Sequence, residues 1–203
     1  EITYTTLKPH YDTVARVMNL QTIPDGQLTE RLKLTREAAE TLGHHDRFAK
    51  APLAVSFSTD WHYGLADPFD HRHSIPFVNA QGQQQGTCIH LGHCDIGCEV
   101  RAKNGRDLTY LPLAERLGCE VRPLHMVRRV EPADGGYRLE FDRISGHTLV
   151  RGRVRADRVF LAAGSLGSTE LLLRARDEHR TLPKLSRMLG RGWSPNANVL
   201  SMA

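Results

Sequence analysis

Hydrophobic positions recur at helical spacing over the first stretch of the chain. Leu7, Tyr11, Val14, Val17, Met18 and Leu20 predict a helix over Lys8–Leu20, with Pro9 near its start, where a helix tolerates proline. Ile23-Pro24-Asp25-Gly26 reads as a turn, and Thr29 is placed to cap a second helix through Leu32, Leu34, Ala38, Ala39 and Leu42 that stops at Gly43. Leu53, Val55 and Phe57 alternate with small residues and predict a strand over Pro52–Ser58. Periodicity then fails. Residues 58–87 are rich in His, Asp, Pro, Gly and Gln, with Trp61, Tyr63, Phe69 and Phe77 scattered among them, the composition of a lid or binding segment.

Order returns with Leu108, Leu111, Leu113, Ala114 and Leu117, a helical pattern that stops at Gly118 and has Asp107 as its candidate N-cap. Two short extended runs, Cys119–Pro123 and Leu124–Val130, lead to an Asp134-Gly135-Gly136 turn. A strand over Tyr137–Arg143, a second turn at Ser145-Gly146 and a strand over Thr148–Ala156 complete a three-stranded antiparallel meander. The sharpest pattern follows in Asp157–Arg174, DRVFLAAGSLGSTELLLR. The unbroken apolarity of Val159–Ala163 predicts a parallel strand buried on both faces, Gly164 permits a turn with φ > 0, and Ser165 or Ser168 can cap the helix beyond. Bare amides at that helix start favour a negative group, so a phosphate-bearing cofactor is one candidate for this turn. An ordinary βα unit, whose glycine serves only the turn, accounts for the same residues. The fold class expected is α/β overall and α+β within this chain: part of a doubly wound domain carrying an antiparallel meander.

Composition narrows the function classes. The chain has 203 residues, 40% of them hydrophobic, enough for one large or two small domains without metals or disulfides. The 27 Lys and Arg are offset by 23 Asp and Glu, and Arg128, Arg129, Arg151, Arg153 and Arg155 are spaced as the solvated face of antiparallel strands, so nucleic acid is not an expected partner. No apolar segment reaches membrane-spanning length and no targeting peptide is visible, which makes a cytoplasmic location the expectation. The chain opens mid-stream at Glu1 and reads as part of a longer protein.

One cluster bears on chemistry. In TCIHLGHCDIGC, Cys88, Cys94 and Cys98 fall beside His90 and His93, and such ligands could build a zinc-binding interaction module. The spacing C-x5-C-x3-C lacks the paired C-x2-C of zinc ribbons and Cys119 stands alone, so the default is a tight glycine-rich turn with reduced, metal-free thiols. His62, His71, His73 and His90 have no ligand periodicity and are expected at the surface.

Several stretches together resemble the glucose–methanol–choline family of flavin oxidoreductases, in its cholesterol oxidase-like branch. Val159–Asn198 is similar to that branch's AGSLGSTELL segment and the LP…LG…GW.PN run after it, Gly92–Leu111 to its GC..GAKNT.D..YL segment, and LKPHYDTVARVMNL to its L..YYD helix. Arg101 stands where the family usually has glycine, Leu91 where some relatives have a further cysteine, and Ala197 where glycine separates two asparagines.

The resemblance implies FAD as cofactor and a small-molecule alcohol, sterols included, as substrate of the parent enzyme, oxidised by hydride transfer to the flavin. It places residues 1–98 in the substrate-covering region and 99–203 in the FAD-binding domain. Val127 matches the strand position whose backbone meets the adenine, Ala162, Ala163 and Gly164 match the close approach to the ADP half, and Asn196 lies nearer the flavin. The family's opening GxGxxG and closing catalytic histidine match nothing in these residues, so no catalytic residue is named. This chain alone is expected to be folded, inactive, poor at retaining FAD, and prone to dimerise or aggregate through the open edge of the Val159 strand. A non-enzymatic nucleotide-binding domain using only the Gly164 turn is the other reading.

Overall fold

The computed structural model describes residues 1–194 and divides the chain into two units, Glu1–Val121 and Arg122–Ala203. The break follows Val121 because residues 99–121 hydrogen-bond back into the first unit. Ser56 N donates to Ala102 O, Asn104 N to Ala54 O, and Gln85 Nε2 to Arg101 O.

In the first unit, helix α1 spans Tyr4–Val17, starting earlier than periodicity suggested because the Thr3 hydroxyl accepts from Thr6 N and caps it. Pro9 therefore lies inside the helix. Helix α2, Glu30–Thr41, is capped by Thr29 as expected, with Leu32 N donating to the Thr29 hydroxyl at 3.3 Å. The strand expected at Pro52–Ser58 does not form. The segment makes single bridges to two different neighbours, Leu53 with Gln21 and Val55 with Lys103, and neither continues into a ladder.

The irregular stretch hides a short hairpin, β1 (Pro76–Val78) with β2 (Gln84–Gly86), whose turn is closed by Asn79 Oδ1 accepting from Gln81 N and Gln83 N. Helix α3, Tyr110–Arg116, starts after Thr109. Asp107 is not its cap, because Leu108 N and Thr109 N already bond back to Gly105 O and Arg106 O.

The core of this unit is small and partly polar. Trp61, Ile89, Ala102 and Leu108 are buried beside Gln27, Ser56, Gln85, Asn104 and Thr109. Asn104 joins the polar members: its Oδ1 accepts from Ser56 Oγ at 3.2 Å and Gln85 Nε2 at 2.9 Å, and its Nδ2 donates to Asn19 O. Satisfying each amide is what makes burial of so many polar groups affordable.

The second unit is built on the predicted meander, β3 (His125–Ala133), β4 (Gly136–Ser145) and β5 (Thr148–Ala156), antiparallel in the order β3-β4-β5. Strand alternation separates two faces. One carries Val130, Leu139 and Val154 in a row, with Val127, Phe141 and Gly152 in the next. The other carries Glu131 paired with Arg138, Glu140 with Arg153, and Asp142 with Arg128 and Arg151. Of the arginines noted in the sequence, Arg128, Arg129, Arg151 and Arg153 thus join an ion-pair ladder, while Arg155 donates to the Asp134 carbonyl.

Helix α4, Gly164–Leu173, runs on into a π-helical turn, Arg174–Glu178, and both pack on β3 with Val130, Leu171 and Ala175 buried.

The buried parallel strand expected at Val159–Ala163 is absent. Residues 157–163 have no ladder partner among the described residues, and Phe160 is 91% exposed. An apolar run becomes a buried strand only between neighbouring strands, and β5 pairs with β4 alone. The open edge assigned to that strand is therefore absent too; the sheet's outer strands are β3 and β5. Helices with antiparallel sheets give an α+β arrangement. No helix among the described residues is long and apolar enough to cross a membrane.

Candidate functional site: a cleft between a bulged strand and a helix start

Strand β3 breaks register with β4 between Val127 and Arg129, leaving Arg128 unpaired at a bulge. A bulge bends its strand and re-aims the side chains around it. On the facing side Gly164, at φ +73°, turns the chain into helix α4. Neither serine expected to cap the helix does so: the N-cap is Ala163, without a side-chain capping bond, and Ser168, inside the helix, accepts from Ala163 N through its Oγ at 3.0 Å.

Between these elements lies a cleft of about 410 Å³. His125, Met126, Val127 and Arg128 line it from β3, and Ala163, Gly167, Glu170, Leu171 and Arg174 from the helix side. Gly167 and Ala163 keep that wall low: a Cβ on Gly167 would stand 3.2 Å from Ala163 Cβ. Arg174 is held by Glu170 at 2.9 Å, and Arg128 Nε donates to Asp142 at 2.9 Å. That hydrogen bond, assisted by Arg151, holds the Asp142 carboxyl below its ordinary value. His125 Nδ1 lies 2.7 Å from Pro123 O, an acceptor, so Nδ1 carries the proton, and the ring packs on Phe141 at 4.9 Å.

The tertiary structure brings Val127 and Ala163 into one cleft. Ala162 and Gly164 flank Ala163 in the chain without lining it, and Asn196 lies outside the described residues. Sequence reasoning missed Arg128, Gly167 and Arg174 as lining residues. The second glycine of Gly164-Ser-Leu-Gly167 was the available signal, since small residues mark close approach. The lining combines apolar surface at Val127 and Leu171, the start of helix α4 at Ala163 and Gly167, and the Glu170–Arg174 pair, while the guanidinium of Arg128 is engaged by Asp142. A helix start beside apolar surface suits a flat ring bearing an anionic group.

The cysteine cluster sits in the first unit. All four cysteines are free thiols, and burial pushes the Cys88 thiol upward. Glu99 receives His71 Nε2 and His93 Nδ1, each at 2.9 Å, and the hydrogen bond to His93 is the main cause of its lowered carboxyl pKa. Among the described residues no group of three or more His, Cys, Asp or Glu is arranged to hold a metal ion. His90, expected at the surface, is instead half-buried and stacked on Trp61 at 4.3 Å.

Comparison with known proteins bears on what these units belong to. Over 187 residues, 91% of this chain, the sequence is 33% identical to the cholesterol oxidase of Mycobacterium tuberculosis, in both strain CDC 1551 / Oshkosh and strain ATCC 25618 / H37Rv. Over 174 residues, 82% of this chain, it is 34% identical to the cholesterol oxidase of Acinetobacter baumannii. The chain spans only about 31% and 30% of the lengths of these relatives. No protein-family profile and no solved structure matches. The identity runs through both units, and on that ground the chain belongs to the glucose–methanol–choline oxidoreductase family, in its cholesterol oxidase-like branch.

Proposed function

We propose that this chain is part of an FAD-dependent oxidoreductase that oxidises an alcohol, sterols included, and that its second unit supplies a wall of the adenosine-diphosphate site. The observation that carries the reading is the convergence of Val127 and Ala163, matched separately to the family's adenine and ADP contacts, on one cleft. Bound FAD supplies the acceptor for hydride leaving the alcohol carbon. The residues of this chain orient and hold. The Val127 backbone would hold the adenine, Leu171 would give it apolar surface, and the amides of Ser165, Leu166 and Gly167 with Arg128 and Arg174 would favour phosphate charge. Ala162 and Gly164 shape the turn that lets the backbone approach, and Asn196 is assigned nearer the flavin. Residues 1–98 belong in this reading to the substrate-covering region.

No residue of this chain is assigned to proton or hydride transfer, so the chain alone is expected to show no turnover. The test is Gly164→Val in the full-length parent, measuring bound flavin by absorbance in the purified protein. Loss of flavin from a folded variant supports the assignment; normal flavin content overturns it.

A further inference from the structure

Strand β5 ends the meander and is bonded along one side only, since the sheet order among the described residues is β3-β4-β5. Ser145 and Thr148 face each other across the loop Gly146-His147, the closing hydrogen-bonded pair of a tight hairpin. Backbone direction alternates from that pair onward. Leu149, Arg151, Arg153 and Arg155 therefore present their N–H and C=O groups away from β4. The three arginine side chains share one face of the sheet, spaced about 7 Å apart along the strand. On the other face Val150 and Val154 are 43% and 38% exposed. The edge is thus a row of free backbone donors and acceptors, with a cation on nearly every residue that presents them.

Charge decides what such an edge accepts. The three strands hold seven arginines against three acidic residues, and Glu131, Glu140 and Asp142 are each already paired within the sheet. Arg151 and Arg153 give their Nε protons to Asp142 and Glu140 at 3.4 and 2.9 Å, and Arg155 gives one Nη2 proton to the Asp134 carbonyl. The Arg151 and Arg153 side chains remain 71% and 65% exposed, and a guanidinium has further N–H donors for a second acceptor. A second copy of β5 is a poor partner. Antiparallel pairing about Arg153 sets Arg151 opposite Arg155 and Arg153 opposite itself, and like charges directly opposite destabilise a strand pair. A strand with acids at alternate positions instead meets each arginine with an opposite charge and lays its intervening apolar residues beside Val150 and Val154. We propose that the β5 edge binds an extended acidic polypeptide segment, Asp or Glu alternating with apolar residues, as a fourth strand of the sheet.

The probe is the peptide fluorescein-Thr-Glu-Val-Glu-Val-Glu-Thr-amide, titrated with the 203-residue chain and read by fluorescence anisotropy. It is expected to saturate one site and to bind more weakly as salt is raised. N-methylation of its central glutamate keeps the charge and removes one strand hydrogen bond, and should weaken binding about tenfold. The analogue with lysine in place of glutamate should not bind. Arg151→Gln, which leaves Asp142 bonded to Arg128, should weaken the parent peptide about threefold. Backbone amide resonances of Leu149, Arg151 and Arg153 should move on binding, and those of Ala163 and Gly167 should not. The full-length parent should bind the same peptide. No saturable binding, equal affinity for the N-methylated or lysine peptide, an unchanged Arg151→Gln affinity or resonance changes confined to residues outside β5 would each overturn the proposal. So would binding by this chain that the full-length parent lacks, since its own polypeptide would then close the edge.

Discussion

Val127 on strand β3 and Ala163 before helix α4 line the same cleft, although the whole of strands β4 and β5 separates them in the chain. The meander carries the chain away and back, and the turn at Gly164 then lays α4 against the strand where it began. Both walls are backbone-rich and small, so the shape of the cleft depends on backbone conformation more than on side-chain bulk.

Gly164 tests that dependence. Its φ of +73° is costly for any residue with a Cβ, yet a Cβ there would meet nothing within 4 Å. Gly164→Ala and Gly164→Val are expected to destabilise this chain by similar amounts, about 1–2 kcal/mol each. Urea unfolding checks the equality; a much larger loss for valine would mean that side-chain bulk sets the cost.

Gly152 is the opposite case, a matter of space. Phe141 covers it so closely that an added Cβ would lie 2.5 Å from the ring. Gly152→Val is expected to cost about 1–3 kcal/mol through overpacking. Adding Phe141→Leu should recover part of that loss, so the two substitutions are non-additive in a double-mutant cycle read by urea unfolding.

Arg101 occupies a glycine position of the family pattern and adopts φ +53°. Its backbone is held on both sides, with N donating to Cys98 O and O accepting from Gln85 Nε2. Arg101→Gly is expected to raise stability by about 1 kcal/mol, the relief of left-handed strain less the added freedom of the unfolded chain. Thermal and urea midpoints should both rise.

Asp142 carries an acid-side dependence. It is 7% exposed, bonded first by Arg128 and then by Arg151, and its folded-state pKa lies below the ordinary 3.8. A lowered carboxyl pKa means that the unfolded state takes up protons first. The stabilisation is therefore complete above the ordinary value and is lost as pH falls through the lower folded one. Asp142→Asn should be less stable at neutral pH and should show a shallower loss of stability on acidification. Urea midpoints measured across the acid range for both proteins give the comparison.

Much of the fold was legible locally. Thr29 as a helix cap, the glycine turns at 135 and 146 and the alternation of strands β4 and β5 depend on residues within a few positions of one another, and the structure follows them. The motif segments carried the family, and within them Gly164 identified its own turn. The hairpin at Pro76–Gly86 was not legible, because its glutamines are poor strand formers and Gln85 is placed by the distant Asn104.

By itself, then, the sequence determined the Thr29 cap, the glycine turns and the meander, since these are settled by short-range hydrogen bonds and backbone preference. Tertiary structure alone decided that Val159–Ala163 stays without a ladder, that Val127 meets Ala163 across a cleft, and that His90 is enclosed by Gln27, Trp61 and Tyr63. Each of these depends on partners remote in the chain, and hydrophobic periodicity reports that a residue seeks burial without saying what will bury it.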